Sequence, residues 1–213
     1  MMNYSYPDAV LLIFCKAPIA GQVKTRLMPD LTAEQAAQLH CELSLNTLQR
    51  ATQALLCPVQ LWCTPSIDHD FFITAEQNYP LTRHLQQGAD LGARMNHALG
   101  VALKHYKRAV LMGCDCPSLT PHDLATAITA LNETTTAVIA PAEDGGYVLI
   151  GVNRSHPELF TDMPWSNPHL MAETRDRCQQ QRINYYELSV QWDVDTPADL
   201  ARYRRWRNEL FKN

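Results

Sequence analysis

Short apolar runs alternate with helical patterns along almost the whole chain, and this alternation constrains the fold more than any other feature. "AVLLIF" (Ala9 to Phe14), "VQLWC" (Val59 to Cys63), "RAVLMG" (Arg108 to Gly113) and "TAVIAP" (Thr136 to Pro141) have the unbroken apolar character of strands buried on both faces. "LTRHLQ" predicts a further strand, as does "INYYELSV". Between the strands, apolar residues recur three or four apart. From Thr32 onward Ala36, Leu39, Leu43, Leu48, Ala51 and Leu55 form one helical stripe, and Thr32 with Gln35 reads as a capping box. "DHDFFITAEQNY" predicts a helix with Phe71, Phe72 and Ala75 inward, and "ADLGARMNHALGVALKHY" one with Leu91, Met95, Ala98 and Ala102 inward. "PHDLATAITAL" opens with Thr120 as N-cap and Pro121 at the first helical position. "NPHLMAETRDRCQQQ" and "TPADLARYRRWRNELF" complete the helices. The rhythm predicts an α/β sandwich around a mostly parallel sheet, in one domain spanning 1–213. "GYVLIGV", entered through a tight "DGG", interrupts the alternation and predicts an antiparallel strand.

The composition excludes several classes. At 46% hydrophobic residues the chain can bury a substantial core, and a net charge of −4 gives no general attraction to nucleic acid or an anionic membrane. No segment is long and apolar enough to span a bilayer, and the first residues lack the basic region of a signal peptide. The 7 cysteines are scattered, with no CxxC pair, as expected of a reduced cytoplasmic protein. Cys114 and Cys116 in "CDC" have no neighbouring ligands in the sequence, which argues against a zinc site there. The 8 histidines form no HxH or HxxxH set, and His97 and His105 read as packed or exposed helix residues. Tyr203, Trp206 and Leu210 read as a core or dimer face, and Arg202, Arg204, Arg205 and Arg207 as the solvated side of the same helix.

The polar loops after the strands carry the chemistry, because ligands of open α/β sheets sit beyond the strands' carboxyl ends. "CKAPIAGQVKTR" sets Lys16, Lys24 and Arg26 around a turn at Gly21, as a phosphate site or as a solvated basic loop. Asp115 follows an apolar strand and precedes Pro117, as a metal ligand or as a turn Asp. In "DVD", an extended backbone puts Asp193 and Asp195 on one face and Val194 on the other. Alternatively, Asp195 or Thr196 caps the last helix, with Pro197 at its first position. In "EDGGY", Glu143 and Asp144 could bind a sugar hydroxyl or accept a proton, and Gly145-Gly146 allows a ligand close to the backbone. The same residues also suit an ordinary hairpin turn. Cations and carboxylates on one rim suggest a polyphosphate held through Mg²⁺ or Mn²⁺.

"KAPIAGQVKTRL", "QGADLGARM", "GCDCPSLT", "PAEDGGYVLIGV", "PWSNPHLMAET" and "DVDTPADL", in this order from about Val10 to Leu200, resemble the DUF2064 proteins. These are nucleotide-diphospho-sugar transferases of the glycosyltransferase-A type, some named as radical-SAM/selenodomain-associated transferases. The opening loop also resembles the phospholactate guanylyltransferases, which share the fold. The resemblance implies a three-layer α/β/α fold with nucleotide at the ends of the N-terminal strands. It further implies phosphate contacts from Lys16, Gly21, Lys24 and Arg26, and a metal, Mg²⁺ or Mn²⁺, on Asp115, Asp193 and Asp195. Asp115 and Asp144 would be catalytic, and Glu143, Gly145, Gly146, Trp165 and Ser166 would face the acceptor. Cys114 stands where a small hydroxyl residue is usual, and Asn167 where a Thr is usual. The expected activity is glycosyl transfer from a nucleotide-sugar to a small acceptor. Nucleotidylyl transfer with release of pyrophosphate is the alternative, and a non-catalytic nucleotide-binding protein is the alternative from another class. A homodimer is compatible with this reading, and nucleic acid is not an expected partner.

Overall fold

The computed structural model describes residues 3–28 and 30–210. Its strands are β1 (Ala9–Lys16), β2 (Val59–Thr64), β3 (Leu81–Leu85), β4 (Arg108–Met112), β5 (Ala137–Pro141), β6 (Tyr147–Val152) and β7 (Tyr185–Glu187). Its helices are α1 (Ala33–Gln53), α2 (Asp70–Asn78), α3 (Leu91–Ala102), α4 (Pro121–Ala130), α5 (Leu170–Gln180) and α6 (Pro197–Leu210). The strands form one sheet in the order β3-β2-β1-β4-β6-β5-β7. β6 runs antiparallel to β4 and β5, and the other pairs are parallel. The antiparallel strand is the one entered through "DGG", as its tight turn demands.

The unbroken apolar run of β1 follows from burial on both faces. Leu11, Ile13 and Cys15 point into a core shared with Leu48 of α1, Phe72 of α2 and Leu124 of α4. Val10, Leu12 and Phe14 point into the opposite core, with Met95 and Leu99 of α3 and Met171 of α5. Two helical layers therefore sandwich the sheet. A smaller cluster packs Leu27, Leu43, Val194, Leu200 and Tyr203, fastening α6 to α1. Among the described residues no helix is long and apolar enough to cross a membrane.

Several boundaries differ from expectation for local reasons. α1 ends at Gln53, so Leu55 falls beyond it, in a left-handed conformation (φ 48°) and exposed. Leu91 is the first residue of α3 and is 46% exposed rather than in the core. β7 is only three residues long, yet its extension keeps pairing with β5 through Leu188 N–H to the Ile139 carbonyl and Gln191 N–H to the Pro141 carbonyl. Phe211, at the end of the predicted last helix, and the side chain of Leu210 lie outside the described residues. The predicted capping box at Thr32 forms, and the predicted N-cap Thr120 makes one as well. At α4 the Asp123 N–H donates to Thr120 Oγ1 (3.2 Å) while the Thr120 N–H donates to Asp123 Oδ2 (2.8 Å). Thr120→Ala should therefore cost about 1 kcal/mol, lowering the melting temperature by roughly 2–4 °C in a thermal melt.

Candidate functional site at the β1–β4 switch point

From β1 the chain builds outward through β2 to β3, then returns to place β4 on the other side of β1. The strand order reverses between β1 and β4, the position at which open α/β sheets form a crevice. Lys16 ends β1, and Asp115 follows shortly after β4. The loop after β1 turns at Gly21 (φ +77°), where a Cβ would meet no atom within 4 Å. Val23 and Leu27 anchor the loop in the core. Lys24, held between them, adopts a left-handed conformation (φ 48°, ψ 37°) at the head of a short 3₁₀ turn. Such a backbone persists in a non-glycine residue only when its surroundings over-determine it.

The surroundings are two carboxylates. The Lys24 ammonium, 5% exposed, donates to Asp115 Oδ2 and to Asp195 Oδ1, each at 2.8 Å. Burial alone would pull the Lys24 pKa down, but Asp115 and Asp195 outweigh it and the net shift is upward. Burial likewise pushes Asp115 up, and Lys24 more than reverses this, leaving Asp115 below the usual carboxylate range. Arg26, largely exposed, reaches Asp195 Oδ2 at 3.5 Å. Lys16 is exposed and donates to the Gln22 carbonyl (2.8 Å), while His40 Nε2 of α1 donates to the Lys16 carbonyl (2.8 Å).

"DVD" is extended as expected. Val194 is fully buried, and its N–H donates to the Asp115 carbonyl (3.1 Å), drawing both acids to the crevice. The cap of α6 is Thr196, not Asp195. The Asp199 N–H donates to Thr196 Oγ1 (3.4 Å), and the Thr196 N–H donates to Asp199 Oδ2 (2.7 Å). Asp195 is thereby free to face Lys24. Asp193 is pushed up to about 7, first by burial and then by Asp115, Asp195 and Asp144, with Lys24 opposing weakly.

Asp115 stands between two hollows. One, of about 270 Å³, is walled by Lys16, Lys24, Arg26, His40 and Asp195. The other, of about 170 Å³, is walled by Phe14, Met95, Tyr147, Trp165, Ser166 and Asp193. Trp165 and Tyr147 meet edge to face, with ring centroids 6.4 Å apart. The Tyr147 hydroxyl is buried without a hydrogen-bond partner among the described residues. Tyr147 was not singled out by sequence, because a Tyr opening a strand carries no signal of its own.

The "EDGG" loop is less open to a ligand than expected. Glu143 turns away to pair with Arg202 of α6 at 2.7 Å. Arg202 also lies over the Trp192 ring, so it is not merely solvated. Asp144 Oδ1 accepts the Gly146 N–H (2.9 Å), a local turn that still leaves Asp144 close enough to raise Asp193. At Gly145 (φ +89°) a Cβ would lie 2.0 Å from the Pro168 carbonyl oxygen. The close neighbour that demands this glycine is thus the Trp165–Pro168 loop, which Gly145 also holds through its carbonyl and the Met171 N–H (2.8 Å).

The family model described as "Uncharacterized protein conserved in bacteria (DUF2064)" matches residues 47–167. The chain belongs to the DUF2064 family. The matched span holds Asp115, the "EDGG" loop and Trp165, while the Lys24 loop and "DVD" lie outside it. A crystal structure from Desulfovibrio desulfuricans G20, named for a nucleotide-diphospho-sugar transferase, is 31% identical. It covers 91% of this chain and 85% of its own, with a TM-score of 0.81. A CMP:2-keto-3-deoxy-manno-octonic acid synthetase complexed with CTP superposes with a TM-score of 0.61 at 13% identity, over 95% of this chain and 99% of its own. Glucosyl-3-phosphoglycerate synthase of Mycobacterium tuberculosis, solved with Mn²⁺, UDP and phosphoglyceric acid, gives 0.52 at 8% identity, over 92% and 73%. These last two likenesses concern the fold alone. This DUF2064 chain has the nucleotide-diphospho-sugar transferase fold. A comparison with curated proteins gives no match.

Proposed function

We propose that this protein is a divalent-metal-dependent transferase that uses a nucleoside-phosphate donor, first of all a nucleotide-sugar. The observation that carries the reading is the convergence of Asp115, Asp193 and Asp195 at the β1–β4 crevice with Lys24 among them. The carboxylates suit a hard cation. Lys24 already stands in as a positive charge for Asp115 and Asp195, while Asp193 is pushed up to about 7, first by burial and then by its acidic neighbours. Asp115, Asp193 and Asp195 would hold Mg²⁺ or Mn²⁺, which when bound offsets negative charge developing on the departing phosphates.

The chain's own groups supply the rest. Lys16 and Arg26 border the hollow on the phosphate side and are exposed enough to meet a diphosphate. Trp165, Ser166 and Tyr147 line the other hollow, where an acceptor would sit. In glycosyl transfer the bond from the sugar's anomeric carbon to the diphosphate oxygen breaks and one to the acceptor oxygen forms. The acceptor's proton passes to Asp144, whose second oxygen the turn leaves free, and the nucleoside diphosphate departs. Nucleotidylyl transfer is the second reading, supported by the fold shared with the CTP-bound synthetase, and it would release pyrophosphate instead. The reading includes a cytoplasmic setting, in which the seven free cysteines stay reduced.

The test is a melting-temperature screen of nucleoside di- and triphosphates and nucleotide-sugars, with and without Mn²⁺. A true donor at a hundredfold its Kd should raise the melting temperature by roughly 5–10 °C. Asp115→Asn should keep the fold and lose the Mn²⁺-dependent part of that shift. A variant that binds metal and nucleotide as the parent does would remove Asp115 from the metal site. Chromatography of turned-over donor then separates nucleoside diphosphate from pyrophosphate, and no turnover of any bound nucleotide-sugar or triphosphate would leave only a binding protein.

A further inference from the structure

Beneath the carboxylate crevice lies a second cluster of a different chemistry. β1 and β4 pair in register at Ile13 and Met112. Two residues further along each strand direction both chains carry cysteine, Cys15 and Cys114, and both are buried. His40 of α1, 5% exposed, reaches into the same space. Its Nε2 lies 3.9 Å from Cys15 Sγ, and one ligand atom from each of the three residues lies within 4.8 Å of the others. Cys116, the other cysteine of "CDC", turns instead to Ser118 (3.4 Å).

We propose that Cys15, His40 and Cys114 form a buried thiolate–imidazole site for one zinc ion. Sulfur and nitrogen ligands on a tetrahedral zinc stand about 3.3–3.8 Å apart, given bond lengths of about 2.3 and 2.0 Å. The three groups are therefore within a small closing motion of that arrangement. Charge also favours zinc over a monovalent ion. Two thiolates and Zn²⁺ sum to zero, the state that a buried space tolerates best. The fourth position falls to a water or to the Ser44 hydroxyl, 3.4 Å from Cys15 Sγ. Hard Mg²⁺ and Mn²⁺ would prefer the carboxylates above, so the two sites sort cations by softness.

His40 would have to exchange one partner for another. Its Nδ1 is buried with no hydrogen-bond partner among the described residues, while Nε2 is engaged by the Lys16 carbonyl. On zinc binding both thiol protons leave to solvent. The imidazole proton moves to Nδ1, which has no acceptor among the described residues, and the Lys16 carbonyl is released, so the two metal–thiolate bonds must offset the loss of that hydrogen bond. The ion would thus tie together the ends of β1 and β4, one residue before Lys16 and Asp115, and loosen the cationic loop from α1.

Cobalt tests the site without relying on catalysis. The full chain, reduced with a phosphine, is titrated with Co²⁺ and then with Zn²⁺. One equivalent of Co²⁺ should give a thiolate-to-metal charge-transfer band, which one equivalent of Zn²⁺ abolishes. Cys15→Ser and Cys114→Ser should each weaken Co²⁺ binding at least tenfold and reduce the band by about half, as expected for loss of one of two thiolates. Cys116→Ser and Asp115→Asn should keep it, which separates this site from the carboxylate site and from the transferase reading. Absence of the band in the parent protein overturns the proposal even where a cysteine variant fails to fold. A band and Co²⁺ affinity left undiminished by Cys114→Ser, or a band that disappears with Asp115→Asn, overturns it as well.

Discussion

Lys24→Ala is expected to destabilise the metal-free protein by about 3 kcal/mol, and Mn²⁺ is expected to restore most of that loss. The ammonium is nearly buried and bonds both Asp115 and Asp195 at 2.8 Å. Without it those two acids and Asp193 lie near one another, and among the described residues only Arg26, 3.5 Å from Asp195 and 64% exposed, remains as a cation in contact. Removing one member of a buried pair costs about 3–5 kcal/mol, and the low end applies because the carboxylates retain some solvent. The melting temperature should fall by roughly 6–12 °C. If the same carboxylates hold a divalent ion, Mn²⁺ should raise the variant's melting temperature more than the parent's, since in the parent Lys24 already neutralises them. An equal Mn²⁺ shift in both proteins would place the metal elsewhere. The variant should also bind nucleoside diphosphates more weakly than the parent while nucleosides are unaffected. Equal loss for both would return the loop to the role of a solvated basic segment.

The elements of this fold were legible where a local rule sets them. β1 is apolar at every buried position because both faces are covered, and the Thr32 box and the Thr120 cap form because their partners lie three residues away. "DVD" was legible for the same reason, since alternation along an extended backbone is local. What links the site was not legible. Lys24 meets Asp115 across 91 residues and Asp195 across 171, and no spacing rule connects them. A cation in a Gly-containing loop therefore read as a phosphate ligand, when its first partners in the folded chain are carboxylates. Glu143 was drawn off by Arg202 of α6, and Gly145 answers to the Pro168 backbone rather than to open space. The Cys15–His40–Cys114 cluster was invisible because two strands and a helix from distant parts of the chain bring it together.

Asp193 should make the stability of the metal-free protein fall as pH rises from about 4 to about 7, and Asp193→Asn should remove that fall. The folded carboxyl titrates at about 7, so across this range the folded chain holds a proton that the unfolded chain has released. Stability then declines with pH and levels off above about 7. A three-unit shift corresponds to about 4 kcal/mol at most, and partial solvent exposure reduces the expected effect to about 2 kcal/mol. Asp115 does not obscure this, because its pKa is lowered and its contribution is lost only as pH falls below the usual carboxylate range. Parent and Asp193→Asn should therefore melt together at or below about pH 4 and diverge progressively above it, and the variant should melt higher by roughly 4–8 °C at pH 8. The groups that face Asp193 are Asp115, Asp195 and Asp144, with Lys24 as the opposing cation, and in the metal-free protein all three acids push in the same direction. A divalent ion reverses the sign, since it favours the charged carboxylate and must expel the Asp193 proton to bind. Mn²⁺ affinity of the parent should thus rise through pH 7 with release of one proton, measurable by calorimetry in buffers of different ionisation heat. Asp193→Asn should bind Mn²⁺ more weakly at pH 8 and show no such proton release. Equal melting differences at pH 5 and pH 8, or proton-independent metal binding by the parent, would detach Asp193 from the metal site and leave the cation to Asp115, Asp195 and the phosphates.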